Sequence, residues 1–175
     1  MFFCFCVENE NQIKYNIGVD KSSNIRPKVG KRMFTGEFRH TIDSKGRIAV
    51  PAKFRYDLGE KCVVSRYLDG CLAIYSSERW EKETNYLNSL NQNNSKIRKY
   101  VRDRFKNTDE CNFDVQGRIN IPTNLMEIAQ LKKNVVFTGA GDHVELWDQD
   151  IYQQYSESSS NEEMSEIVED LPWNM

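Results

Sequence analysis

The chain has 175 residues, of which 39% are hydrophobic and 29% charged, and its formal net charge is -2. That length holds one ordinary domain or two very small ones, and no stretch approaches the roughly 20 apolar residues that a membrane-spanning helix requires. The five cysteines, at 4, 6, 62, 71 and 111, form no Cys-x-x-Cys pair, and His40 and His143 are the sole histidines, which argues against a zinc site and fits a reduced, cytoplasmic protein.

The charge is strongly segregated. Ten acidic residues and no Lys or Arg lie between Asp142 and Met175, so the first 141 residues hold all 24 basic groups against 16 acidic ones. A cationic body of this kind suits a polyanion, while the acidic end serves solubility or shields the basic surface.

In chain order, Met1 to Val7 is apolar but too short for a secretory core and lacks a preceding basic stretch. Cys4-Phe-Cys6 offers two soft ligands without a partner pair at zinc-finger spacing, so no metal or other cofactor is expected. Residues 8 to 32, rich in Asn, Lys and Ser, read as part of a disordered extension over 1–32, with Met33 as a candidate start of the domain. Glu37 to Ile42 alternates as a half-buried strand, Asp43-Ser-Lys-Gly46 is a turn, and Arg47 to Val50 is the return strand. Pro51 ends that strand and starts a helix over Ala52 to Leu58, which Gly59 stops. Strands Cys62 to Ser65 and Leu72 to Tyr75 follow, joined through Asp69-Gly70.

Ser77 is placed to cap a helix to about Leu90, with Trp80, Thr84, Leu87 and Leu90 on one face. A second helix over Lys96 to Lys106 puts Ile97, Tyr100, Val101 and Phe105 on an apolar side and Lys96, Arg98, Lys99, Arg102, Arg104 and Lys106 around the rest. Three roles are open to that basic surface: a solvated face, a contact with a nucleic-acid backbone, or a salt contact with the acidic end of a neighbouring subunit. The first series of elements then returns as strand Glu110 to Phe113, turn Asp114 to Gly117, strand Arg118 to Ile121, helix Pro122 to Gln130, and strands Asn134 to Thr138 and His143 to Trp147. Residues 149 to 157 match the first linking helix, Ser156 to Asn161 reads as flexible, and the acidic end as weakly helical at best.

The recurrence is explicit. Asp43-Ser-Lys-Gly-Arg-Ile-Ala-Val-Pro51 comes back as Asp114-Val-Gln-Gly-Arg-Ile-Asn-Ile-Pro122, 71 positions later. Cys62-Val-Val answers Asn134-Val-Val, Leu72-Ala-Ile-Tyr75 answers Val144-Glu-Leu-Trp147, and Trp80 answers Tyr152, as one inserted residue between Pro122 and Asn134 would require. Each repeat, at roughly 45 to 50 residues, is near the lower limit for a core of its own, so the two should share one or gain one by oligomerising. The expected fold is α+β, with two such units forming a small β-barrel and helices linking them.

Within each turn, the Asp can accept hydrogen bonds from amides two or three residues on, and Gly46 or Gly117 can reverse the chain. Arg47 and Arg118 then leave the start of the return strand with a guanidinium suited to phosphate or a guanine edge. Lys45 is matched by Gln116, so the first turn is the more cationic. A paired-carboxylate enzyme built on Asp43 and Asp114 is disfavoured, because the neighbouring Arg would suppress the pKa rise such chemistry needs. No Ser/His/Asp set or phosphate loop stands out, and the chain is not expected to be an enzyme.

Met33-Phe-Thr-Gly-Glu-Phe-Arg-His-Thr-Ile-Asp-Ser-Lys-Gly-Arg-Ile-Ala-Val-Pro-Ala-Lys-Phe-Arg55, Leu68-Asp-Gly-Cys-Leu-Ala-Ile-Tyr75 and the second Asp114-x-x-x-Arg118 resemble the MraZ family over about residues 33 to 155. The resemblance implies two tandem SpoVT/AbrB-like modules of swapped-hairpin type, at 33–79 and 108–151. A helical linker at 80–107 joins them, and a helix and acidic flexible tail at 152–175 follow. It also implies a nucleoid-associated regulator of the division and cell-wall gene cluster, which binds direct repeats of double-stranded DNA in its own promoter as a ring-like homo-oligomer. Arg47, Lys45, Lys53, Arg55 and Arg118 are the expected DNA-binding residues, and Asp43, Gly46, Asp114 and Gly117 the turn-orienting ones. Leu125-Met126 departs from Phe54-Arg55 and removes a cation from the second repeat. The competing function is an AbrB-like antitoxin or protein-interaction module using residues 156 to 175.

Overall fold

A computed structural model describes residues 33–158 and 161–170. The expected disordered extension over 1–32 lies outside the described residues, as does part of the stretch expected to be flexible at 156–161. The first repeat supplies β1 (Glu37–Thr41), β2 (Arg47–Ala49), α1 (Ala52–Leu58), β3 (Lys61–Arg66) and β4 (Leu72–Ser76). Helices α2 (Ser77–Ser89) and α3 (Ser95–Lys106) follow, then β5 (Thr108–Asn112), β6 (Arg118–Asn120), α4 (Thr123–Ile128), β7 (Asn134–Gly139) and β8 (Val144–Asp148). Helices α5 (Gln149–Ser158) and α6 (Asn161–Asp170) close the series, so the acidic end forms a ten-residue helix where the sequence predicts little helix. The α+β class is as the sequence predicts.

The pairing departs from local hairpins. Beyond the turn bond from Asp43 N to Arg47 O (2.9 Å) and an Ile42–Ile48 bridge, β1 and β2 separate. Strand β1 pairs with β7, and β5 with β3, so each repeat lends its first strand to the other. The six-stranded sheet runs β1-β7-β8-β4-β3-β5, and β2 pairs with β6 as a separate ribbon. With β5–β8 taken as copies of β1–β4, this order reads the same from either end, which is a pseudo-twofold axis through the central β4–β8 pair. Exchange has a physical reason. Ile48, Phe54 and Leu72 bury against Ile119, Leu125 and Leu146 in one cluster, a core that neither short repeat could fill alone.

The register also corrects the repeat alignment. Cys62 faces Ser76 and Val135 faces Asp148, and Ser76 and Asp148 are equivalent, so Cys62 corresponds to Val135 and not to Asn134. The connection into β7 is two residues longer than that into β3. The loop Ala140–His143, at four residues, is one shorter than Tyr67–Cys71. These two opposite changes leave the net offset of a single insertion.

Helix α1 ends as predicted at Gly59, whose amide bonds Arg55 O at 3.1 Å with φ 91°. Helix α2 is capped by Ser76, one residue before the predicted cap, through a 3.2 Å bond from the Arg79 amide, and buries Leu87 on the predicted face. Helix α3 is rotated from expectation. Arg104, expected on the solvated side, is 4% exposed, whereas Tyr100, expected to pack, is 44% exposed; Phe105, at 39% exposure, does meet the Trp80 ring edge-on at 6.3 Å. Buried Arg104 lies against the rings of Tyr67 and Trp80 at 5.6 and 5.8 Å, its Nη atoms meet the Tyr75 hydroxyl at 3.2 Å, the Arg66 carbonyl and Glu83 at 3.6 Å, and its Nε has no hydrogen-bond partner among the described residues.

Candidate nucleic-acid interface

The two turns are near-copies in atomic detail. Asp43 Oδ1 accepts from the amides of Lys45 (2.9 Å) and Arg47 (3.0 Å), and Oδ2 accepts from Arg47 Nε (2.8 Å) and pairs with Nη2 (2.7 Å). Asp114 does the same with the amides of Gln116 and Arg118 (both 2.9 Å) and with Arg118 Nε and Nη2 (both 2.7 Å). Gly46 and Gly117, at φ 76° and 72°, supply the left-handed residue that lets the chain reverse. The Arg47 and Arg118 side chains are 36% and 26% exposed, so both guanidinium groups reach solvent. Each commits one edge to its aspartate and keeps the outer edge, with Nη1, available for a second acceptor.

Ribbon pairing unites the two turns. Arg47 faces Asn120, Ile48 faces Ile119, and Ala49 faces Arg118. Because side chains alternate along a strand, Ile48 and Ile119 point into the core, at 0% and 1% exposure, while Arg47, Ala49, Arg118 and Asn120 share the outer face. The arginines are diagonal neighbours, with Cα atoms roughly 7–8 Å apart. Reciprocal bonds clamp the ribbon ends: Val50 N donates to Gly117 O (3.1 Å) and Ile121 N to Gly46 O (2.9 Å).

The remaining predicted cations are distributed unevenly. Lys45 is exposed at the first turn, whereas the second has Gln116 at that position, next to a fully exposed Val115. Lys53 is exposed, and its ammonium donates to Thr35 O at 2.7 Å and to Thr35 Oγ1 at 3.2 Å. Arg55 crosses to the other repeat, where a Cβ built on Gly117 would overlap its side chain; its equivalent, Met126, stands 3.4 Å from a Cβ built on Gly46. The second turn, which lacks a counterpart of Lys45, therefore receives a cation from the first repeat.

Hydrogen bonds from the Arg47 side chain and amide hold the Asp43 carboxyl down at about 2. The Arg118 amide, outweighing desolvation and aided by the guanidinium, lowers Asp114 in the same direction. Both are therefore ionised acceptors at neutral pH, fixed as orienting groups and unsuited to donate a proton.

Sequence reasoning missed a second polar cluster. Arg79 bonds Asp142 at 2.6 Å and Glu83 at 3.1 Å, while His143 Nδ1 lies 2.8 Å from Asp142 and its Nε2 lies 3.8 Å from Glu145. Burial opposes protonation of His143, but the Glu145 and Asp142 carboxylates outweigh it and raise its pKa. The Arg79/Glu83 spacing of four on a helix was the one visible signal; Asp142 and His143 come from the other repeat through the swapped fold. The cluster ties α2 to the β7–β8 loop. Cys62, Cys71 and Cys111 are free and buried, with burial pushing Cys62 up to about 12 and Cys111 to about 11. Among the described residues no helix is long and apolar enough to cross a membrane.

Two stretches, 33–103 and 104–171, match the family model described as "MraZ protein, putative antitoxin-like". The chain is 46% identical over 141 residues to the transcriptional regulator MraZ of Halothermothrix orenii, covering 79% of this chain and 99% of that protein. It is 43% identical over 136 residues to the transcriptional regulator MraZ of Alkaliphilus oremlandii, covering 78% and 94%. With the protein of that name from Limosilactobacillus fermentum it shares 42% identity over 130 residues, covering 74% and 91%.

Proposed function

Because the chain belongs to the MraZ family, we propose that it is a transcriptional regulator, not an enzyme, which grips double-stranded DNA through the outer face of the β2–β6 ribbon. The observation that carries this reading is the joint presentation of Arg47 and Arg118 on one surface, each guanidinium held by its own aspartate. An antiparallel ribbon fits the major groove, where an arginine can donate two bonds to a guanine. Lys45 at the first turn and Arg55 at the second supply phosphate contacts beside them. Lys53 adds a third after exchanging one of its bonds to Thr35 for a phosphate oxygen. In this reading residues 33–79 and 108–151 are the two DNA-facing modules, 80–107 the linker and 152–175 the tail.

One ribbon offers too few contacts for selectivity. Several copies in a ring-like homo-oligomer would present ribbons at a fixed spacing, so direct repeats upstream of the protein's own gene, at the head of a division and cell-wall cluster, bind with a multiplied effective concentration. Such a protein works in the cytoplasm at the nucleoid.

The test is binding to the DNA upstream of its own gene, measured at two salt concentrations. Arg47→Ala should abolish specific binding while the assembly stays intact; unchanged binding in both Arg47→Ala and Arg118→Ala would overturn the reading. Deleting residues 156–175 separates the antitoxin-like alternative, which predicts loss of a protein partner with DNA binding retained.

A further inference from the structure

Helices α2–α3 and α5–α6 hold equivalent places in chain order, each pair following the fourth strand of its repeat. Their charges are opposite. Along α3, Lys96, Lys99, Arg102 and Lys106 line a shallow groove of about 560 Å³ with Arg66, and Tyr100 stands at 44% exposure among them. Among the described residues, Arg66 is paired, to Asp103 at 3.0 Å, while those four cations form no ion pair. In sequence, the segment from Glu157 to Asp170 carries Glu157, Glu162, Glu163, Glu166, Glu169 and Asp170 and no Lys or Arg. Met164 and Ile167 on α6 are 48% and 49% exposed.

We infer that the α3 groove of one copy receives the acidic α6 segment of a second copy, and that this basic-to-acidic contact is the head-to-tail joint of the assembly. The inference rests on the homo-oligomer part of the proposed function. Complementary charge and exposed apolar residues on both sides fit such a joint: Tyr100 can cover Met164 or Ile167 while the lysine ammonium groups meet carboxylates. Because one copy presents the two faces at different places, the contact is heterologous. It repeats from copy to copy and closes into a ring when the rotation allows. Duplication followed by opposite charging of the two helix pairs gives the joint its polarity, since two basic grooves or two acidic helices repel.

The test uses charge reversal in the full chain, with particle mass read by sedimentation at low and high salt. One variant carries Lys96→Glu, Lys99→Glu and Arg102→Glu; the other carries Glu162→Lys, Glu163→Lys and Glu166→Lys. Each alone should fall from the wild-type mass to the monomer, because its groove and helix then bear like charge. An equimolar mixture should regain the wild-type mass, since each groove again meets a helix of opposite charge, and that recovery also shows that both variants fold. Wild-type mass in either variant alone, or no recovery on mixing, overturns the joint while leaving the oligomer reading intact. A monomeric wild type overturns both. Retained mass with weakened, less salt-dependent binding of random duplex DNA in the lysine-reversed variant would assign the groove to DNA instead.

Discussion

The Arg55 side chain of the first repeat lies across the turn glycine of the second, Gly117, so tightly that an added Cβ would overlap it. The reciprocal site is looser, with Met126 Sδ and the Ile121 carbonyl 3.4 and 3.3 Å from a Cβ built on Gly46. Both glycines have positive φ, so alanine at either should cost about 1–2 kcal/mol from backbone strain alone. Gly117→Ala should cost about 1 kcal/mol more than Gly46→Ala, and the excess should vanish in an Arg55→Ala background, as a double-mutant cycle by urea unfolding would read. Equal costs in the wild-type background would mean that Arg55 does not rest on Gly117.

Asp43 restrains Arg47 and also subtracts charge from the surface proposed to face DNA. Asp43→Asn keeps an oxygen for the Lys45 and Arg47 amides but releases the guanidinium. Random duplex DNA should then bind more tightly, with the salt slope steeper by about one counterion. Promoter DNA should gain less, because the arginine must now be ordered on binding, so the ratio of specific to random affinity falls. Titration of both duplexes by fluorescence anisotropy across salt concentrations checks this, and an unchanged ratio would show that the aspartate does not orient the reader.

Much of the site was legible because a duplicated Asp-x-x-Gly-Arg turn leaves its signature in adjacent residues: Asp43, Gly46 and Arg47 interact within one turn, and so do their copies. The strand positions and α1 were legible for the same reason, since alternation and the Pro51/Gly59 punctuation are local. Partnership was not. Whether Ile48 pairs across its own hairpin or with Ile119 depends on which arrangement completes a core, and both leave the same pattern in sequence. Arg104 shows the other limit. A guanidinium is read as solvated unless its acceptors are visible, and here they come from Arg66, Tyr75 and Glu83, on other elements.

The two histidines should act on stability with opposite sign. His143 has a raised pKa in the fold, so its contribution is fully present below the unfolded value of about 6.5 and is lost as pH climbs through the folded one. His40 is lowered by desolvation, so its neutral form is favoured in the fold and it penalises stability as pH falls below about 6.5. Thermal melts from pH 6 to 8 should show His143→Gln losing a stabilisation seen on the acid side. His40→Gln should instead gain stability there. A His143→Gln melt with unaltered pH dependence would remove that histidine from the charged cluster with Asp142, Arg79 and Glu145.

Helix α4 ends at a residue the first repeat handles differently. Gly59 closes α1 at φ 91°, whereas its equivalent in the second repeat, Gln130, adopts φ 50° while Leu131 N bonds Met126 O at 2.9 Å. A side chain in the left-handed region carries roughly 1–2 kcal/mol of strain, part of which glycine removes and part of which returns as extra freedom of the unfolded chain. Gln130→Gly should therefore stabilise the protein by about 0.5–1 kcal/mol, while Gly59→Gln should destabilise it by a similar or larger amount. Chemical denaturation of the two variants measures both. The sign for Gln130→Gly is the discriminating result, since loss of stability would mean that the glutamine side chain contributes packing that outweighs its backbone strain.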